Sequence, residues 1–274
     1  MNIEKYLNDL YKTNTIKPVL TDLGLSNEIY YFEFDNQKYA LRYLINNATT
    51  PHINIERQVQ IKAKDMDFEE VYYDNKNNIR ITKWIDNLKT FSQYNNDDKF
   101  SKTIKRIKQF HKLDIKTNIN FDLKAKYNHF IKNIKKSLYD YRKYENIIDE
   151  YSNLKIPIVL SHNDLVDGNI CFKDKKCFLI DYEYASNNYE YFDLVSLLSE
   201  NKIYDNTLRN NIYSLYFDDK INDDILYKCL YIEICQDLLW AAWANQEYDN
   251  KNKDIYLDIF KDKIDRFNKL IVKL

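Results

Sequence analysis

The chain has 274 residues, 45% of them apolar, enough for one large core or for two lobes around a cleft. Its 41 Lys and Arg balance 42 Asp and Glu to a formal charge of −1, which argues against a dedicated nucleic-acid binder and favours a small or neutral partner. The charged start "MNIEKYLNDLYKTNTIKP" lacks a signal-peptide core and no later apolar run reaches membrane length, so a cytoplasmic protein without membrane insertion is expected.

The first third reads as strands. "EIYYFEF" and "KYALRYL" are aromatic and β-branched runs joined by the turn-forming "DNQ", which predicts a hairpin. A helix follows around "INIERQVQIKAKD", where Ile55, Val59 and Lys62 or Ala63 recur at helical spacing. Two more strands, "EEVYYD" and "IRITKWI", flank polar "NKNN". From about Asp97 the period changes. Phe100, Ile104, Ile107 and Phe110 or His111 form one helical face, and Leu123, Tyr127, Phe130, Ile134 and Leu138 form another. The polar "QYNNDD" is the nearest thing to a linker, so a sheet-based lobe over 1–86 and a larger helical lobe over 87–274 are expected. "IPIVLS" then reads as a short buried strand, "NICF" and "KCFLID" as a second hairpin, and the chain after Tyr191 as helix. Cys171, Cys177, Cys229 and Cys235 are spaced too widely for a zinc site and are expected to be reduced core thiols.

One stretch, "SHNDLVDGNI", holds one of only two glycines in the chain. It sets His162, Asp164 and Asn169 in the order H-x-D-x-x-x-x-N, with Asp181 following at the end of "FLID". Phosphoryl transfer needs a carboxylate on a rigid loop to take the proton of the attacking hydroxyl, which suits Asp164. It also needs oxygen ligands for Mg2+, and Asn169 and Asp181 offer a carbonyl and a carboxylate at the two ends of a hairpin. Gly168 is expected at a sharp turn of positive φ before the Asn. Asp, Asn and Gly are also ordinary loop residues, so the spacing alone would be weak. The strand before it, the hairpin after it and the strand-rich lobe upstream supply the context. Upstream, Gly24 before the first hairpin allows backbone amides to approach phosphate, or simply makes a turn. Arg42 is a strand cation able to reach phosphates, or an exposed strand residue. His111 and His162 are expected to hold backbone by hydrogen bonds.

"VLSHNDLVDGNICF" followed by "FLIDYEYASNNYEYFDLVSLLSE" resembles the choline/ethanolamine kinase family. The resemblance implies an α+β, protein-kinase-like bilobal fold: a small N-terminal antiparallel β lobe with one helix, and a larger mainly helical C-terminal lobe. It implies transfer of phosphate from Mg-ATP to a small alcohol, with Asp164 as base and Asn169 and Asp181 as metal ligands. "LGLSNEIYYFEFDNQKYALRY" resembles the family's nucleotide loop and first hairpin, implying nucleotide contacts at Gly24, Ser26, Asn27 and Arg42. Glu56, in competition with Gln58, is implied as the partner of Arg42, and the backbone of Lys83, Trp84 and Ile85 as the hinge that meets adenine. "DYE" in place of D-F-G favours a small-molecule kinase, and the lone glycine departs from the family's usual pair.

The acceptor is suggested by "WAAW", where Trp240 and Trp243 share a helical face. A quaternary ammonium donates no hydrogen bond and is held by aromatic faces, so two tryptophans suit choline; tryptophans on an apolar face are also ordinary core residues. The resemblance adds Glu200 as pocket carboxylate and Tyr184 and Tyr204 as nearby aromatics. An ethanolamine kinase is the nearest alternative. An aminoglycoside-type phosphotransferase would draw on Asp223, Asp224 and Glu233 for an acidic cleft. A kinase-shaped binding protein without turnover is the alternative of another class, and intact Asp164, Asn169 and Asp181 count against it. The phosphocholine formed would serve lipid head groups or surface glycans.

Overall fold

The computed structural model describes residues 1–23, 27–43 and 50–274. The predicted hairpin is strand β2 (Glu28–Phe34) against β3 (Gln37–Tyr43), closed by Asp35 and Asn36, both at positive φ. Two consecutive left-handed residues match the right-handed twist of the strands, and Asp and Asn tolerate that geometry best after glycine. With β1 (Val19–Leu20), β4 (Glu70–Asp74) and β5 (Ile79–Lys83) they form an antiparallel sheet of order β1-β2-β3-β5-β4.

Helix α1 (Ile3–Tyr11) was not foreseen from the charged N-terminus. Asn2 caps it by accepting from the Lys5 amide, and its buried Ile3 and Leu7 share a small core with Phe32, Leu41, Ile79 and Ile81 of the sheet. Helix α2 (Thr50–Lys62) belongs to a different core, since Ile55, Val59, Ala63 and Met66 join the hydrophobic cluster of the larger lobe. That leaves its Glu56 to reach back to Arg42 of the sheet. The helix therefore ties the sheet to the larger lobe at the cleft.

In the larger lobe, β6 (Lys89–Thr90) leads to α3 (Lys99–His111), which buries Ile104, Ile107 and Phe110 as its periodicity predicts. Helix α4 (Leu123–Asn133) is shorter than its apolar spacing suggests. The backbone is extended at Ile134, and the next amides are taken by a distant helix: Lys135 and Lys136 donate to Asp249 (2.9 and 3.0 Å) and Leu138 to Asn245 (2.9 Å). Helix α5 (Glu145–Glu150) precedes β7 (Ile158–Ser161). The second predicted hairpin is β8 (Ile170–Lys173) with β9 (Lys176–Leu179), and β6 joins its edge. Strand β9 stops at Leu179, two residues short of Asp181. An unforeseen strand, β10 (Ser186–Tyr189), pairs with β7.

Helices α6 (Phe192–Glu200), α7 (Asn206–Phe217), α8 (Asp223–Lys251) and α9 (Asp254–Ile271) complete the lobe, with α8 largely buried at its centre. All four cysteines are buried, and burial pushes each thiol up. Among the described residues no helix is long and apolar enough to cross a membrane.

Candidate active site

The loop between β7 and β8 is built around a carboxylate that the motif does not contain. Asp193, fully buried in the first turn of α6, accepts the backbone amides of His162 and Asn163 (2.8 Å each) and the Nε2–H of His111 (2.9 Å). Burial pushes Asp193 up, but these donors and the two histidines outweigh it and hold the carboxyl below its usual range. His162 reaches the other way, donating from Nε2 to the Ile180 carbonyl (2.9 Å), and burial lowers its own pKa. Asn163 takes a left-handed φ of 68°. Its side chain donates to the Tyr184 carbonyl (2.9 Å) and Ser186 Oγ (3.0 Å) and accepts from Asn188 (2.8 Å). The loop is thus fastened to α3, α6 and β10 before it presents Asp164.

Asn169 Nδ2 donates to both Oδ2 and the carbonyl of Asp164 (2.9 Å each), which leaves its Oδ1 as the oxygen free to accept or ligate. The β8–β9 register pairs Ile170 with Leu179, and the Ile180 amide donates to the Asn169 carbonyl (3.1 Å), so Asn169 lies beside Asp181. Asp181 sits at φ 66°, and its buried Oδ1 accepts no hydrogen bond, at 3.5 Å from Arg42 Nη1. Arg42 pairs in turn with Glu56, which also accepts from Gln60 (3.1 Å).

Negative charge is in excess here. Burial, then Asp181, Glu200 and Glu183, push Asp164 well above the usual carboxylate range, against the Asn169 hydrogen bond. Glu183 is pushed up to about 7 by burial and by Asp181 and Glu56, opposed by Arg42. An orphaned buried carboxylate oxygen, a free amide oxygen and surplus negative charge suit a hard cation. No three His, Cys, Asp or Glu side chains converge to ligating distance among the described residues, so remaining ligands would come from phosphate and water.

Gly168 does not take the positive φ expected of it. It lies in a short 3-10 turn (Asp167–Asn169), exposed, with nothing within 4 Å of where a Cβ would be; Asn163 and Asp181 supply the left-handed turns instead. Gly168→Ala is therefore expected to be tolerated, changing stability by about +0.4 to +1 kcal/mol by restricting the unfolded chain, measured as a small rise in Tm. A large loss would contradict this geometry.

On the nucleotide side, Gly24 and Ser26 lie outside the described residues. Asn27 is buried near Glu183, whose pKa it helps to hold down, and keeps an unpartnered Oδ1. At the expected hinge, Lys83 donates its amide to the Glu69 carbonyl (2.8 Å) and Trp84 to the Lys38 carbonyl (3.0 Å). The Ile85 amide meets no acceptor among the described residues.

Of the residues expected to hold the acceptor, Trp240 and Trp243 are half-buried and meet edge to face (centroids 6.2 Å apart, 89°). Phe121 lies 6.5 Å from Trp240 and Tyr256 lies 5.7 Å from Trp243. Glu200 is held by Lys263 (2.6 Å). Tyr184 lies over the Lys126 ammonium (5.5 Å), and Tyr204, 48% exposed, over the Arg266 guanidinium (5.5 Å). No ring contact joins Tyr184 or Tyr204 to either tryptophan among the described residues. Of the acids an aminoglycoside would need, Glu233 is buried between Arg209 and Arg266, and Asp224 pairs with Lys228.

The sequence model of the family described as choline/ethanolamine kinase matches residues 21–214. The chain belongs to the choline/ethanolamine kinase family. Protein LicA of Haemophilus influenzae is 22% identical over 240 residues, covering 81% of this chain and 70% of that protein. The structure of a choline/ethanolamine kinase family protein from Mesorhizobium loti has a TM-score of 0.81 at 16% identity, over 98% of this chain and 93% of that one. Choline kinase LicA from Streptococcus pneumoniae has a TM-score of 0.77 at 18% identity, with both chains fully covered. The fold is the protein-kinase-like bilobal fold, and the protein is an ATP-dependent small-molecule kinase.

Reading the kinase's sequence missed Asp193, Glu183, Phe121, Lys126 and Lys263. Asp193 had a signal, since an acid inside the apolar run "FDLVSLL" must be buried with partners. Glu183 lies two residues from Asp181 in "DYE". The lysines have no local signal, because only the packing of α4 and α9 brings Lys126 against Tyr184 and Lys263 to Glu200.

Proposed function

We propose that the kinase transfers the γ-phosphoryl group of ATP to the hydroxyl of choline, giving phosphocholine and ADP. The observation that carries this reading is the edge-to-face Trp240–Trp243 pair flanked by Phe121, because aromatic faces hold a quaternary ammonium that offers no hydrogen bond. Ethanolammonium instead needs acceptors, and Glu200 is already engaged by Lys263.

In this reading Asp164 accepts the hydroxyl proton as the choline oxygen forms its bond to the γ-phosphorus and the bond from phosphorus to the β–γ bridging oxygen breaks. Its loop is fixed from behind by Asp193, so the carboxylate needs little reorganisation. Asn169 through Oδ1 and Asp181 through its unpartnered Oδ1 would hold Mg2+, which neutralises phosphate charge when bound. Arg42, oriented by Glu56, contacts phosphate; Asn27 serves the nucleotide, a role the family resemblance also gives Gly24 and Ser26; the Ile85 amide, with Lys83 and Trp84 beside it, meets adenine. Tyr184, Glu200 and Tyr204 complete the acceptor side. We assign the lobe division to 86/87 and, with ATP as donor, the protein to the cytoplasm.

Trp240→Ala is expected to raise the choline KM by about 2- to 30-fold, the weight of a cation–π contact of about 0.5–2 kcal/mol, with the ATP KM unchanged. Steady-state kinetics check it, and an unchanged choline KM in both Trp240→Ala and Trp243→Ala would return the pair to the core.

A further inference from the structure

One cation already occupies the aromatic surroundings of the acceptor side. Lys126, on the inner part of α4, places its ammonium 5.1 Å from the Phe121 ring centroid and 5.5 Å from that of Tyr184. Both distances lie within the range in which a ring face attracts a cation. Phe121 is also the ring that neighbours Trp240, with centroids 6.5 Å apart, so the lysine lies against an aromatic group that continues into the tryptophan pair. It forms no ion pair among the described residues. The nearest acid on its own helix, Asp122, uses its carboxylate to cap the Ala125 amide (2.8 Å). Burial pushes the Lys126 pKa down, partly offset by Asp122, as expected for an ammonium held by rings in place of water.

A half-buried lysine without a carboxylate partner is an uneconomical way to fill space, since its long stem usually carries the charge out to water. Here the rings supply the compensation, and they are the same kind of surface that a quaternary ammonium seeks. Two cations cannot share one set of faces without repulsion at short range. The flexible stem allows the lysine to withdraw where a fixed group could not.

We propose that the Lys126 ammonium is a tethered occupant of the acceptor pocket, which an incoming quaternary ammonium displaces from Phe121 and Tyr184, so that Lys126 sets the affinity for the acceptor. The inference rests on the choline reading above and adds to it a residue that weakens binding.

The test is calorimetric titration of choline into the wild-type kinase and into K126M, K126R and W240A. K126M is expected to bind choline about 3- to 10-fold more tightly than wild type, the size of a lost cation–π competitor, while K126R, which keeps a cation, binds no more tightly. Unchanged or weaker binding by K126M overturns the inference. In the wild-type protein, hydroxyl-radical labelling of the Lys126 side chain, read by mass spectrometry and insensitive to its protonation, is expected to increase with saturating choline as the side chain leaves the rings. Decreased labelling overturns the inference without relying on any variant. Loss of binding in W240A together with unchanged K126M leaves the choline reading standing and removes only the role of Lys126. Choline bound by W240A as by wild type, or by no form at all, overturns the acceptor pocket and this inference with it.

Discussion

Asp164→Asn lowers kcat by about 10²- to 10⁴-fold while ATP binding is retained, as expected when a general base is removed from phosphoryl transfer. The variant is close to isosteric. An Asn at 164 still offers an oxygen to Asn169 Nδ2, and the backbone carbonyl that accepts the second Asn169 bond is untouched, so the loop and the candidate metal ligands stay in register. What disappears is a carboxylate that its surroundings make unusually basic: burial, Asp181, Glu200 and Glu183 all raise its proton affinity. Stopped-assay kinetics with a fluorescent ATP-analogue titration separate the two effects. Near-normal turnover would remove Asp164 from the chemistry, and lost nucleotide binding would make its role structural.

The second large effect is expected at Asp193, which touches no reacting atom in the proposed mechanism. Asp193→Ala leaves two buried backbone amides and the His111 ring without their acceptor, and breaking such a buried charged hub costs about 3–5 kcal/mol. Asp193→Asn preserves shape but turns one acceptor into a donor, so a smaller loss with a lowered Tm is expected. The pH dependence follows from the direction of the shift. Because the carboxyl is held below its usual range in the folded protein, its stabilisation is fully present above the unfolded-chain value of about 3.9 and is lost as pH falls through the folded value. The Tm gap between wild type and Asp193→Asn is therefore expected to narrow as pH falls below about 4. A gap that persists unchanged in acid would mean that the ionised carboxylate is not what holds the loop.

These two sites differ in how far they could be read from the chain. Asp164, Asn169 and Asp181 stand at motif spacing because a loop and one hairpin connect them, and local connections leave local patterns. The β2–β3 hairpin and the apolar face of α3 were legible for the same reason. What escaped depends on distant partners. The end of α4 is decided by Asp249 and Asn245 of α8, more than a hundred residues away, and not by its own periodicity. Strand β10 has the polar sequence "SNNY", and its pairing with β7 rests on backbone groups. Helix α1 did carry a signal in Ile3, Leu7 and Leu10, at helical spacing behind an Asn cap, but the charges between them masked it.

Gly168 is the opposite case, a glycine whose scarcity marks no special backbone geometry. In a chain so poor in glycine, left-handed turns fall mostly to Asn and Asp: among the described residues, ten of the twelve non-glycine positions of positive φ are Asn or Asp, Asn163 and Asp181 of the candidate site among them. On the proposed acceptor side the residue pattern offers only the tryptophan pair, and Glu200, Tyr184 and Tyr204 enter through the family resemblance. That Glu200 is engaged by Lys263 and that Lys126 lies against Phe121 and Tyr184 emerge from helix packing alone.

The central claim is that this active site phosphorylates choline. ADP release by the purified kinase with Mg-ATP, measured side by side with choline, ethanolamine and kanamycin, tests it most directly. Turnover is expected to depend on choline, to exceed that with ethanolamine at equal concentration, and to be lost in Asp164→Asn. Turnover with ethanolamine or kanamycin but not with choline would contradict it.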